Sequence, residues 1–126
     1  MTIQDKFKLD GRVALVTGGA GLLGREFCKT LAEAGASVAV LDLNAASSAG
    51  TADSLTQSGY TSLALSADIT QPDSVNAAVE KVLSTFGRLD ILVNSAALDP
   101  KFDADAMKKG VTPGSFEDYP LADWNA

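Results

Sequence analysis

Val13 to Gly24 reads VALVTGGAGLLG, and the rest of the chain is organised around this stretch. Val13-Ala14-Leu15-Val16 is too short for a helix and apolar enough for a strand buried on both faces. Gly18, Gly19, Gly21 and Gly24 follow within a few positions, and then a helical pattern places Leu23, Phe27, Leu31 and Ala34 on one face. A strand, a glycine turn and a helix in that order cradle a phosphate. The glycines let the backbone turn tightly and approach an anion, and the first free N–H groups of the helix point at it.

Working outward, the pattern repeats. Strand one is read as 12–17 and the first helix as 22–34, stopped by Gly35 as a left-handed cap. Ser37-Val38-Ala39-Val40-Leu41 forms strand two and ends on Asp42; a second helix spans about 45–58, with Ala45, Ala49, Ala52 and Leu55 inward. Strand three is 62–67, closed by Asp68. Thr70 is read as the cap of a third helix, whose inward stripe is Val75, Ala78 or Val79, Val82 and Phe86, ended by Gly87. Strand four is 89–94. Residues 1–10 read as a loosely held arm, 95–120 as an irregular loop with Pro100 and Pro113, and 121–126 as the first turn of another helix.

Strands alternating with helices imply crossovers and a parallel sheet. The expected architecture is α/β: a Rossmann-type doubly wound parallel sheet, partial, in strand order 3-2-1-4, with the sequence ending before a fifth strand. The 126 residues make one domain.

Composition narrows the function classes. The apolar fraction of 46% and charged fraction of 21% are those of a soluble globular protein, and no apolar run has the length of a membrane span or an export signal. A net charge of −6 disfavours nucleic acid and anionic membranes as partners. With no histidine, a His metal site and a Ser-His-Asp triad are excluded. The single cysteine, Cys28, cannot form an internal disulfide; it is read as a small packed hydrophobe in a reducing, cytoplasmic setting.

The strand ends carry the candidate chemistry. Asp42 follows the glycines by about 20 residues, where a carboxylate accepts from both hydroxyls of an adenosine ribose. The alternative is a helix N-cap or a solvated strand end, and the glycines at that separation favour the ribose. The same carboxylate repels a 2′-phosphate, Leu43 beside it is not a base, and the turn holds no Lys or Arg. NAD is therefore expected over NADP. Asp68, with the N–H that follows it, suits the amino edge of adenine, or serves only as a cap. Asn94-Ser95-Ala96-Ala97 supplies small residues against which a nucleotide ribose can lie, or a tight strand exit.

Together these residues resemble the short-chain dehydrogenase/reductase family from about Gly11 onward. The matching stretches are TGGAGLLG, Asp42, Ala67-Asp68-Ile69 and the run FGRLDILVNSAA over 86–97. The last is similar to the family's G-x-x-D-x-L-V-N-N-A-G, with Ser95 and Ala97 in place of Asn and Gly. The turn spacing T-G-x-x-G-x-x-G, with Leu22 where another branch has glycine, resembles the extended subfamily of sugar-nucleotide epimerases and dehydratases. The strand-four run resembles the dehydrogenase branch, which more of the chain supports.

The resemblance implies a hydride transfer between nicotinamide and an alcohol or carbonyl carbon of a small-molecule substrate. It also implies roles: Gly18, Gly21 and Gly24 shape the pyrophosphate turn, with backbone contacts from Leu22 and Leu23. Asp42 and Leu43 meet the adenosine ribose, Asp68 and Ile69 flank adenine, and Asn94 with Ala96 lines the other ribose. The family's catalytic Tyr has a Lys four residues later, whereas here Tyr60 is followed by Ala64 and Tyr119 by Asp123. No residue is assigned a catalytic role, and the 126-residue chain is expected to be inactive alone. A non-catalytic NAD-binding module stays open as a second reading. Self-association through the apolar edge of strand four is expected.

Overall fold

The computed structural model describes residues 1–97, so expectations for 98–126, including most of the irregular loop and the final helical turn, lie outside the described residues. The elements are α1 (Ile3–Lys6), β1 (Val13–Thr17), α2 (Leu22–Glu33), β2 (Ser37–Asp42), α3 (Ala45–Gln57), β3 (Ser62–Ser66), α4 (Pro72–Phe86) and β4 (Ile91–Asn94). The strands form one parallel sheet in the order β3-β2-β1-β4. This is the expected half of a Rossmann-type doubly wound sheet.

Both faces of the sheet are covered, which is why β1 is buried along its whole length. Alternate residues point to opposite sides. Val16, Val38 and Val40 meet Cys28 and Ala32 of α2 and Ala52 and Leu55 of α3 on one face. Val13, Leu15, Ala39, Leu41 and Leu65 meet Ala78 and Val82 of α4 on the other.

The helix faces correct the periodicity in places. The sheet-facing stripe of α2 is Gly24, Cys28 and Ala32, with Leu31 packed beside it, rather than Leu23 and Phe27, which are 66% and 39% exposed. Glycine carries no hydrophobic signal, yet at 24 it lets the helix start close against the turn. The apolar arc of α2 is wider than its contact with the sheet, so Leu23 and Phe27 lie on its flank. In α3, Ala45 is exposed and Ser48 is buried instead, its hydroxyl donating to Ala45 O at 3.1 Å.

Thr70 does not cap α4. Gln71 occupies that position and Pro72 begins the helix, because proline is pre-set for a first helical residue and needs no N–H partner. Gly87 closes α4 in the left-handed region at φ 79°. The arm read in 1–10 contains a short helix, α1, held by a reciprocal cap between Thr2 and Asp5. Leu9 N–H then donates to Ala34 O at 2.8 Å, tying the arm to the end of α2.

β1 and β4, 70-odd residues apart in sequence, are joined at both ends. At the entry, Asp90 Oδ2 accepts Val13 N–H at 2.9 Å and Arg88 Nε at 2.8 Å, while Asp90 N–H donates to Val13 O at 2.9 Å. Arg88 Nη2 reaches Oδ1 at 2.8 Å and Arg12 Nη1 stands 3.5 Å away. These bonds, led by the Arg88 pair, pull the Asp90 carboxyl down to about 2. Among the described residues no helix is long and apolar enough to cross a membrane.

Candidate dinucleotide site at the strand ends

The register sets Leu41, Thr17 and Asn94 side by side across the sheet, with Asp42 beside Ser66 one residue further on. Glycine turn, Asp42 and Asn94 therefore emerge at the same edge, where neighbouring strands lie about 5 Å apart.

The turn is built on close approach. Gly18 has φ +62°, and a Cβ there would lie 2.8 Å from Ala96 Cα. A Cβ on Gly24 would strike the Gly18 carbonyl oxygen, and one on Gly21 would lie 3.2 Å from that oxygen. Gly19, absent from the expected site residues, is as constrained: its Cβ would meet Val40 Cγ1 at 2.8 Å and Val16 O at 3.0 Å. Under it sits Cys28, fully buried, with Sγ 3.9 Å from Gly19 O. Burial pushes the thiol up to about 11, in keeping with a packed, unreactive cysteine.

Gly21 is the N-cap of α2 and offers no side chain to satisfy the helix's first donors. The first bond into the helix is Arg25 N–H to Gly21 O at 3.0 Å, which leaves the N–H groups of Leu22, Leu23 and Gly24 as its orphan donors. Three N–H groups at the positive end of a helix, with glycines on either side, suit a phosphate.

Thr17 opens the T-G-x-x-G-x-x-G spacing but is absent from the expected site residues, yet it organises the floor of the site. Its Oγ1 accepts Ser95 N–H at 3.2 Å and Ala96 N–H at 3.3 Å, and Ser95 Oγ donates to Thr17 O at 2.6 Å. These bonds hold Ala96 against Gly18. Asn94 lies beside them at the end of β4, exposed.

Asp42 faces the turn: Oδ2 accepts Ala20 N–H at 3.2 Å, and Oδ1 accepts Asn44 N–H at 3.2 Å. Asn44, not Asp42, caps α3, with Oδ1 on Ser47 N–H at 3.0 Å. Each carboxylate oxygen retains acceptor capacity for a ligand hydroxyl.

Asp68 is engaged within its own loop, one residue past Ala67, whose N–H donates to Asp42 O at 3.2 Å. Its Oδ1 accepts the Thr70 hydroxyl at 2.6 Å and the Thr70 N–H at 2.9 Å, and its own N–H donates to Ser74 Oγ at 2.9 Å. The hydroxyl bond, then the backbone bond, lower the carboxyl below its ordinary value. Leu43 and Ile69 project exposed at the ends of β2 and β3, apolar surfaces of the kind a base plane can cover. A groove of about 710 Å³ lies elsewhere, between the outer sides of α2 and α3, and touches the turn only at Ala20.

The structure thus brings Gly18, Gly21, Gly24, Ala96 and Asp42 into one cluster and leaves Asp68 engaged with its own loop. A dinucleotide fits what is present: a cradle that any Cβ would fill, orphan donors for phosphate, and a carboxylate beside them.

Comparison with known proteins shows the family and the fold. A family model described as short chain dehydrogenase matches residues 12–125. The chain is 43% identical over 98 residues to the short chain dehydrogenase/reductase astE of Aspergillus oryzae, covering 77% of this chain and 38% of that protein. It is 39% identical over 93 residues to the 7alpha-hydroxysteroid dehydrogenase of Escherichia coli K12, covering 74% and 36% respectively. Among solved structures, a short-chain type dehydrogenase/reductase from Mycobacterium marinum superposes with a TM-score of 0.80 at 30% identity, over 99% of this chain and 46% of that one. The chain spans well under half the length of the relatives it matches.

Proposed function

The chain belongs to the short-chain dehydrogenase family, and from that premise we propose that it is the dinucleotide-binding part of an NAD-dependent oxidoreductase. The complete enzyme passes hydride between the nicotinamide ring and an alcohol or carbonyl carbon; relatives named as dehydrogenases, one of them for a hydroxysteroid, support that class. The cofactor supplies the hydride chemistry, and the residues of this chain bind and orient it.

In this reading the pyrophosphate takes the N–H groups of Leu22, Leu23 and Gly24, on the turn shaped by Gly18 and Gly21. Asp42 accepts the adenosine ribose hydroxyls beside Leu43, Asp68 and Ile69 border adenine, and Asn94 with Ala96 receives the nicotinamide ribose. The observation that carries the reading is the placement of the Asp42 carboxylate against the glycine turn, 3.2 Å from Ala20 N. A carboxylate there favours an unphosphorylated ribose, hence NAD over NADP, because a 2′-phosphate would set two anions side by side.

Calorimetric titration of the 126-residue chain with NAD and NADP tests this. NAD is expected to bind at least about tenfold more tightly, the cost of one repulsive contact of roughly 1.4 kcal/mol. Equal binding would refute the assignment of Asp42, and no binding of either would refute the site. No NADH is expected from this chain with any alcohol, since neither Tyr60 nor Tyr119 is followed four residues on by the lysine of the family's Tyr/Lys pair.

A further inference from the structure

The carboxylate of Asp42 does more than face a ribose. Three consecutive N–H groups of the turn are turned back into the protein: Gly19 onto Leu41 O at 3.0 Å, Ala20 onto Asp42 Oδ2 at 3.2 Å, and Gly21 onto Gly18 O at 3.0 Å. Two of these acceptors are backbone carbonyls, present whatever the side chains are. The middle one is a side chain, and its other oxygen is fixed by Asn44 N–H at 3.2 Å. Asp42 therefore spans from the β2–α3 junction to the centre of the turn, at a point where Gly18, Gly24 and Ala96 are already in close approach.

We propose that Asp42 is a positioning residue for the glycine turn: by holding Ala20 N–H inward it sets the direction in which the donors of Leu22, Leu23 and Gly24 emerge. Affinity for pyrophosphate and discrimination at the ribose then depend on one side chain. This rests on the dinucleotide reading above but separates from it, because holding Ala20 requires no ribose. Replacing Asp42 to admit a 2′-phosphate would then loosen the phosphate cradle as well, weakening NAD and offsetting what relief of the repulsion returns to NADP. Asparagine has one acceptor oxygen for two N–H donors and presents an NH2 to the other. Serine is too short to span both.

The experiment compares the full chain with Asp42→Asn and Asp42→Ser by residue-resolved amide exchange and by binding of inorganic pyrophosphate, NAD and NADP. In both variants the Ala20 amide should exchange roughly tenfold faster, the loss of one charge-assisted hydrogen bond, while Leu15 and Val16 in β1 keep their rates. Pyrophosphate and NAD should both bind more weakly, again by roughly tenfold, while NADP changes little because the loosened cradle offsets the relieved repulsion. Unchanged Ala20 exchange, or pyrophosphate affinity that holds or rises, would overturn the proposal even where NAD binding falls. Faster Ala20 exchange and weaker pyrophosphate binding, in a chain that takes NAD and NADP equally before mutation, would uphold it and refute the ribose assignment instead.

Discussion

The hydroxyl of Thr17 accepts the N–H groups of Ser95 and Ala96 at 3.2 and 3.3 Å, and the hydroxyl of Ser95 donates back to Thr17 O at 2.6 Å. This exchange extends the β1–β4 pairing past the last ladder pair, Thr17 and Asn94. It also accounts for the serine at 95, where the family pattern has asparagine: a short hydroxyl reaches the Thr17 carbonyl and closes the pair.

Thr17→Val keeps the shape and removes the hydroxyl, leaving the Ser95 and Ala96 N–H groups without their acceptor and Val93 O without its donor. We expect a loss of about 1–3 kcal/mol in denaturant unfolding and weaker NAD binding, with Thr17→Ser close to the native protein. A valine variant as stable as the native chain would show that water replaces the threonine there.

Gly18→Ala and Gly24→Ala test the close approach directly. At 18 the added carbon lies 2.8 Å from Ala96 Cα in a left-handed backbone, and at 24 it strikes the Gly18 carbonyl oxygen. Each is expected to cost about 1–3 kcal/mol and to abolish measurable NAD binding. Gly50→Ala is the control, because nothing lies within 4 Å of a Cβ there, and it should stabilise α3 slightly.

Acid should find the β1–β4 entry clamp. The Asp90 carboxyl is held at about 2, chiefly by Arg88, below the value of about 3.9 for an unfolded aspartate. A depressed carboxyl stabilises the fold fully above the unfolded value and loses that contribution as pH falls toward 2. Thermal melts of the native chain should fall in Tm between about pH 4 and 2. Asp90→Asn should melt lower at neutral pH and show a flatter profile in that window, and parallel profiles would contradict the clamp.

The outer edge of β4 makes no ladder among the described residues, and Leu92 on it is 56% exposed. An apolar strand edge pairs with another chain, so the 126-residue chain is expected to self-associate. Leu92→Lys should shift sedimentation toward monomer. A native chain that stays monomeric at high protein concentration would remove this edge as the contact.

Much of this molecule was legible as pattern. Short apolar runs, glycine stops and helical spacing placed every strand and the three long helices to within a few residues, since each depends on neighbours in sequence. The alternation of strand and helix gave a parallel sheet, and the glycine turn after strand one pointed to the order 3-2-1-4. The candidate site was legible as far as its residue types, because the glycines and Asp42 stand at the separation that one strand–turn–helix–strand unit brings together.

Which side of α2 is inward was not legible. Leu23 and Phe27 carry the hydrophobic signal, but Gly24 and Cys28 face the sheet, because the helix must approach the turn more closely than a side chain allows. Gln71 before Pro72, rather than Thr70, takes the N-cap position of α4 because proline starts the helix, and the Thr70 hydroxyl bonds instead to Asp68. The sequence by itself determined the elements, their order and the chemical inventory at the strand ends. Only the tertiary structure decided that Thr17 holds Ser95 and Ala96, that Asp90 ties β4 to β1, and that Asp42 accepts the Ala20 N–H. Those contacts join residues 22 to 79 positions apart, and a hydrogen bond over such a span leaves no periodic trace in the chain.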